Sequence, residues 1–326
     1  MAGSNGVNRY ARQIALPQVG TTGQDRLRCA HVLVAGAGGL GVPVLQYLVG
    51  AGVGTVTLID GDTVALTNLH RQPLYRMADI GRPKVQAAKD AMAALNPDIT
   101  LHAVADWLTP ANAPGLVARA DVVLDCADTF AASFTLSDAA QAAGKPLISA
   151  SALGMSGYVG GFCASAPSLR AVFPDLPQSA ATCETAGVLG PVVAMIGAVQ
   201  AQMTLTVLLG LVPSPLGQMM VLDAANWRMS GFRFDGAPEP ETPAPFIART
   251  QITPDDLVID LRGEAPAPFT ASALHMDAAA LADLDLPGTD ARIVLACRTG
   301  LRAHHAGMAL RKRWTGQISL LALPDF

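Results

Sequence analysis

His31-Val-Leu-Val-Ala-Gly-Ala-Gly-Gly-Leu-Gly41 decides the fold. His31–Ala35 reads as a strand, and Gly36-x-Gly38-x-x-Gly41 as a glycine-rich turn into an apolar helical pattern. A second strand follows at Thr55-Val-Thr-Leu-Ile59, and Asp60 ends it where a ribose-binding acid is expected. A glycine turn lets backbone N–H groups approach phosphates, and the helix N-terminus beyond it favours anions. Alone, this unit specifies a nucleotide on a doubly wound sheet. The cluster Asn68-Leu-His-Arg-Gln72, followed by Lys84, extends the reading to ATP, because a nicotinamide enzyme has no obvious need for it.

Outward from that unit, strands and helices alternate. Thr100–Ala105, Asp121–Cys126 and Pro146–Ala150 join the first two strands in a mainly parallel sheet covered on both faces, and Gly157–Ala164 and Gln218–Asp223 offer further strands. The fold class is α/β, a Rossmann-like doubly wound sheet with a second, smaller α/β unit. Residues 1–236 form the larger domain, with a helical arm over 1–30 carrying Arg9-Tyr-Ala-Arg12-Gln13. Residues 237–247 are a proline-rich linker, a semi-rigid spacer by composition. Residues 248–326 form the smaller domain, with strands at Leu257–Asp260 and Arg292–Ala296 and a helix over Ala303–Arg313.

The 326 residues are 51% hydrophobic and 15% charged, the balance of a well-buried chain and not of a disordered one. A net charge of −4 argues against a nucleic-acid partner. The five cysteines at 29, 126, 163, 183 and 297 show neither a disulfide framework nor a paired zinc spacing, and no signal peptide opens the chain, so a cytoplasmic location is expected. Cys29, Cys126 and Cys163 read as packing residues. Ala186–Leu222 holds no charged residue and is long enough to span a bilayer. Gly187, Gly190, Pro191, Gly197, Gln200, Gln202, Thr204 and Thr206 interrupt it, and no basic cluster flanks it. It reads as a core helix buried against a sheet or a second subunit, not a membrane span.

The glycine loop lacks the Lys-Ser/Thr of a P-loop, so charge for a triphosphate must come from elsewhere. Arg71 and Lys84 are nearest in sequence, and Arg12 of the arm is a third candidate. Asp128 ends Val122-Val-Leu-Asp-Cys-Ala-Asp128 at the sheet edge, where an acid beside phosphates suits Mg²⁺; Asp125 offers the same chemistry or caps a turn.

These motifs together resemble the ThiF/MoeB/HesA family, bacterial adenylyltransferases related to ubiquitin-activating enzymes. The resemblance runs over about residues 8–235 on Arg9-Tyr-x-Arg12-Gln13, Gly36-x-Gly-Gly-Leu-Gly41, Asp60-x-Asp62, Asn68-Leu-x-Arg71-Gln72, Gly81-x-Pro-Lys84, Asn96-Pro97, Asp125-Cys-x-Asp128 and Thr182-Cys183-x-x-Ala-Gly187-Val188. It implies a homodimer that uses ATP and Mg²⁺ to adenylate the C-terminal Gly-Gly carboxylate of a small ubiquitin-like sulfur carrier. It assigns nucleotide binding to Gly38, Gly39, Gly41, Asp60, Asp62, Asn68, Arg71, Gln72 and Lys84. Asp128 becomes the magnesium-site acid, Arg12 an arginine supplied by the partner subunit, and Cys183 the reactive cysteine.

In the smaller unit, Cys297-Arg298-Thr-Gly300-Leu-Arg302 lies between a strand and a helix. Backbone N–H groups, the helix dipole and two arginines there stabilise a thiolate or persulfide. With Asp260-Leu-Arg262 upstream, residues 248–326 resemble a rhodanese domain whose loop cysteine takes sulfur from a donor. The chain departs from the larger family's pattern at three places. Neither CxxC pair of its zinc site is present, so no zinc is expected. Thr129 stands for the usual Asn, and Ser133 for a frequent Arg. Two other readings remain at this level: a weakened module that binds a carrier without activating it, and a Rossmann oxidoreductase, which leaves Arg71, Lys84, Asp128 and the Cys297 loop without roles.

Overall fold

The computed structural model describes residues 8–176, 187–263, 265 and 267–323. An eight-stranded sheet has the order β3-β2-β1-β4-β5-β6-β7-β8. Its strands are β1 (His31–Ala35), β2 (Thr55–Ile59), β3 (Thr100–Val104), β4 (Val122–Asp125), β5 (Leu147–Leu153), β6 (Ser156–Phe162), β7 (Gln218–Asp223) and β8 (Arg228–Arg233). β3, β2, β1, β4 and β5 pair in parallel, as their runs of branched apolar residues require for strands covered on both faces. β6 to β8 add on antiparallel. The strand order reverses between β1 and β4, so a crevice opens there beyond their carboxyl ends.

Helices α1 (Ala11–Ile14) and α2 (Gly20–Cys29) form the arm. α3 (Gly41–Ala51) follows the glycine loop, α4 (Lys84–Leu95) starts at Lys84, α5 is Ala113–Ala118 and α6 (Phe130–Ala142) follows β4. After α7 (Leu169–Val172), α8 (Gly190–Leu209) is the uncharged helix, with Val192, Val193, Ile196 and Ala201 buried in one cluster with Val42, Leu45, Val34 and Leu124. Among the described residues α8 alone is long and apolar enough to cross a bilayer, yet half of its most apolar window is buried within the fold. The core reading fits this geometry.

The small sheet has the order β10-β9-β11-β12, all parallel, from β9 (Leu257–Asp260), β10 (Leu274–His275), β11 (Arg292–Cys297) and β12 (Gln317–Ala322). α9 (Leu301–Arg311) follows β11. The linker's end lies along β12: Leu320 N–H donates to Pro245 O at 2.9 Å and Ile247 N–H to Leu320 O at 2.8 Å. One apolar cluster includes Phe134, Leu136 and Leu169 of the large unit together with Phe246, Leu295, Leu301 and Ala303 of the small one. Cys126 and Cys163 pack in the core as expected, but Cys29 is exposed at the end of α2, which corrects its reading as a packing residue.

Candidate active site

The glycine loop owes its shape to missing side chains. Gly36 has φ +105°, and a Cβ there would lie 2.5 Å from Cys126 O; one on Gly41 would lie 2.0 Å from Gly36 O. Only glycines let the loop fold back on β4 and start α3. Asp60 staples the loop to β2, because its carboxylate accepts Ala37 N–H at 2.7 Å and Asp62 N–H at 2.8 Å. Burial pushes the Asp60 carboxyl up, against Lys84 and those two N–H groups, which pull it down.

Lys84 is buried at the first turn of α4, the end where the helix dipole disfavours a cation. Asp62 holds it there: Nζ donates to Oδ2 at 2.5 Å, and Lys84 N–H donates to Asp62 O at 3.0 Å. A breach of a local rule that a charged partner must repair is the kind of feature that marks a functional site.

The turn over 68–72 closes the other side. Asn68 is buried and its Oδ1 accepts Ala65 N–H at 2.9 Å, which shapes the turn. Arg71 Nη1 donates to Thr67 O and to His70 Nε2, both at 2.9 Å. Gln72 is 2% exposed, and its Oε1 has no hydrogen-bond partner. Its Nε2 lies 3.7 Å from where a Gly38 Cβ would be, so the amide borders the glycine loop. α8 backs this arrangement: a Cβ on Gly39 would meet Val193, and one on Gly190 would meet His70 O.

At the carboxyl end of β4 the two aspartates part company. Asp125 is fully buried and accepts Ser149 Oγ–H at 2.7 Å and Ala127 N–H at 3.1 Å. Burial lifts its carboxyl to about 6 against hydrogen bonds from Ser149, Ser133 and Ala127. Asp128 is exposed at the crevice, one residue before Thr129, whose Oγ1 accepts Ala132 N–H at 3.3 Å and caps α6. Thr129 thus serves as an N-cap.

Two residues that sequence reasoning passed over support this edge. Gln200 of α8 is fully buried, and its Nε2 donates to Asp125 O at 2.8 Å and Ile148 O at 2.9 Å. Its Oε1 accepts from Cys126 Sγ at 3.4 Å. Ser149 is the other. The available signal was the pair of amides, Gln200 and Gln202, in a helix without charged residues.

Arg12 is not brought to this edge by its own chain. Its arm is fastened to the far end of α3, where Gln13 Nε2 donates to Ala51 O at 3.0 Å, and Tyr10 Oη accepts from Asn96 Nδ2 at 2.8 Å. Cys183 lies outside the described residues. Among the described residues no group of three or more His, Cys, Asp or Glu is gathered for a metal ion.

In the small unit Cys297 ends β11 at 2% exposure, and its Sγ accepts Ala303 N–H at 3.3 Å. Gly300 turns the loop with φ +84°, while Arg298 and Arg302 are exposed. Arg302 Nη1 also donates to Leu261 O at 2.5 Å. Arg262 grips buried Asp260 through Nε at 3.0 Å and Nη2 at 2.8 Å, and the backbone N–H groups of Arg262 and Phe269 add bonds at 3.1 Å and 3.0 Å. Burial raises the Asp260 carboxyl, but these bonds outweigh it and hold the acid below its usual range. By contrast, burial pushes the Cys163 thiol up to about 12 and the Cys126 thiol well above its ordinary value.

The profile of the ThiF family matches residues 10–244. The sulfur carrier protein ThiS adenylyltransferase of Escherichia coli is 42% identical over 231 residues, covering 69% of this chain and 91% of that protein. The adenylyltransferase and sulfurtransferase uba4 of Aspergillus fumigatus is 46% identical over 204 residues, covering 59% of this chain; the chain spans only 41% of that relative's length. Among solved structures, E. coli MccB superposes with TM-score 0.64 at 20% identity, covering 76% of each chain, a likeness of fold.

Proposed function

The chain belongs to the ThiF family, and from that premise we propose that it uses ATP to adenylate the C-terminal Gly-Gly carboxylate of a small ubiquitin-like sulfur carrier and then passes sulfur to it from Cys297. The observation that carries the first half is a convergence at one sheet edge. A glycine cradle, a buried lysine at the wrong end of its helix and an unpaired buried amide oxygen of Gln72 meet there. An unpaired buried acceptor costs about 1–3 kcal/mol unless a ligand or water satisfies it. A nucleotide fits all three features.

Each residue then has a task. The loop from Gly38 to Gly41 offers N–H groups to phosphates, Asp60 faces the ribose, and Arg71 with Lys84 neutralises charge as the carboxylate attacks the α-phosphorus. Asp128 is the acid that would hold Mg²⁺, whose chemistry is to draw the triphosphate oxygens together and stabilise departing pyrophosphate. The fastening of the arm away from its own glycine loop supports a homodimer in which Arg12 completes the other subunit's site.

The second half starts with Cys297 as a persulfide, formed from a thiosulfate-type donor with loss of sulfite. Its terminal sulfur attacks the acyl carbon, a C–S bond forms, and AMP leaves with the electron pair of the broken C–O bond. The Cys183 thiolate next attacks Cys297 Sγ, releasing the carrier thiocarboxylate and leaving a Cys183–Cys297 disulfide for an external dithiol to reduce. Two separate sheets support the division at 237–247. ATP–pyrophosphate exchange tests the first half: it should require a carrier ending in Gly-Gly, and exchange that is absent with every such carrier refutes it.

A further inference from the structure

The small unit is not merely tethered. Gly300, three residues after Cys297, is buried between two neighbours: a Cβ there would lie 2.5 Å from the Phe246 ring and 3.6 Å from Ala131 Cβ. Ala131 belongs to the first turn of α6, three residues after Asp128. One turn further along α9, buried His304 donates a hydrogen bond to the backbone of Pro174, just beyond α7. Leu301 and Ala303 sit in the same apolar cluster as Phe134 and Leu169.

The linker is pinned at both ends. Glu239 Oε1 accepts Ser168 N–H at 2.7 Å and Oε2 accepts Ser168 Oγ–H at 2.6 Å, while Pro245 and Ile247 are bonded to Leu320 of β12. Between these anchors the chain from 240 to 244 spans at most ~20 Å when fully extended. The small unit therefore cannot be exchanged with a second copy unless one anchor lets go. By the same measure of chain reach, contact of Gly300 with Ala131 keeps Cys297 within ~25 Å of Asp128.

We propose that the Cys297 loop acts in cis: it docks on the first turn of α6 of its own chain and delivers sulfur to the acyl-adenylate made at that chain's own glycine loop. This rests on the proposed function for its chemistry, whereas the docking itself rests on the contacts. Cys297 is 2% exposed in this docked arrangement. Release of its loop from α6 should open the thiol, so thiol access tests the docking without any turnover.

Two experiments on the full chain test it. Iodoacetamide labelling read by peptide mass spectrometry should modify Cys297 far more slowly than exposed Cys29 in the wild type. Ala131→Arg, which overpacks the contact, should speed Cys297 labelling roughly tenfold or more. Glu239→Ala should act in the same direction, and buried Cys126 should stay unlabelled in both as the check on folding. Equal Cys297 rates in all three proteins would overturn the docking. Co-expressed Cys297→Ala and Lys84→Ala chains, purified as mixed dimers, should make no more carrier thiocarboxylate than either variant alone. Recovery approaching half of the wild-type yield would overturn the cis assignment. A wild-type chain that makes no thiocarboxylate at all would count against the proposed function, and the labelling would still decide the docking.

Discussion

Lys84 Nζ lies 2.5 Å from Asp62 Oδ2, with the lysine side chain 7% exposed and the aspartate 48% exposed. The pair is therefore asymmetric: a sheltered cation is held by a partner that solvent can release. A phosphate entering beside Lys84 would replace one negative partner with another, so the buried ammonium keeps a counter-charge when Asp62 lets go. Lys84→Ala should lower ATP–pyrophosphate exchange by roughly 10²–10³-fold, the scale of a lost electrostatic stabiliser, and Arg71→Ala should do the same. The urea midpoint of each variant should stay near the wild type. Exchange within a few-fold of wild type in both variants would remove their assigned role.

Asp125 sets a pH dependence of stability. Its carboxyl is raised from 3.8 to about 6 by burial, so the folded state keeps a proton that the unfolded chain has lost. Stability should fall as pH rises from about 4 to about 6 and then level off, by about 3 kcal/mol for this group. Asp125→Asn should flatten that window and gain stability above it. Urea denaturation across the window measures the difference, and parallel profiles for the two proteins would contradict the assignment.

Gln200 spans β4 and β5 from α8. Gln200→Leu keeps the helix but strips Asp125 O and Ile148 O of their buried donor. A loss of about 2–6 kcal/mol is expected, at about 1–3 kcal/mol for each of the two stranded acceptors. Chemical denaturation reads it, and a variant as stable as wild type would show that water or another donor substitutes.

The elements of the candidate edge were legible because their signals are local. Glycines at fixed offsets and an acid at a strand end fall within β1-α3-β2, and Lys84 opens the next helix. The Gln200 anchor, the Glu239–Ser168 strap and the Ala131–Gly300 contact were not, since each joins residues far apart in sequence whose types carry no periodic mark. β8 was missed for a related reason: Arg228–Arg233 is exposed along its whole length, so no apolar alternation betrays it. Proline content reads 237–247 as a semi-rigid spacer, but composition does not reveal where such a segment is pinned, as at the Phe246–Leu320 bridge.

Metal content tests the expectation that this chain departs from a zinc-bearing pattern. The cysteines are too scattered for a tetrahedral thiolate site, so elemental analysis of the purified protein should find no stoichiometric zinc, and exchange activity should survive a zinc chelator while requiring added Mg²⁺. One tightly bound zinc per chain would contradict this.

Mass spectrometry of the carrier's C-terminus tests the coupling of the two centres most directly. With ATP, Mg²⁺, thiosulfate and a dithiol, the wild-type chain should convert the Gly-Gly carboxylate to a thiocarboxylate. Cys297→Ala should leave the carrier unconverted while its ATP–pyrophosphate exchange stays at the wild-type level. Normal thiocarboxylate from Cys297→Ala, with no sulfide or other persulfide donor added, would contradict the account.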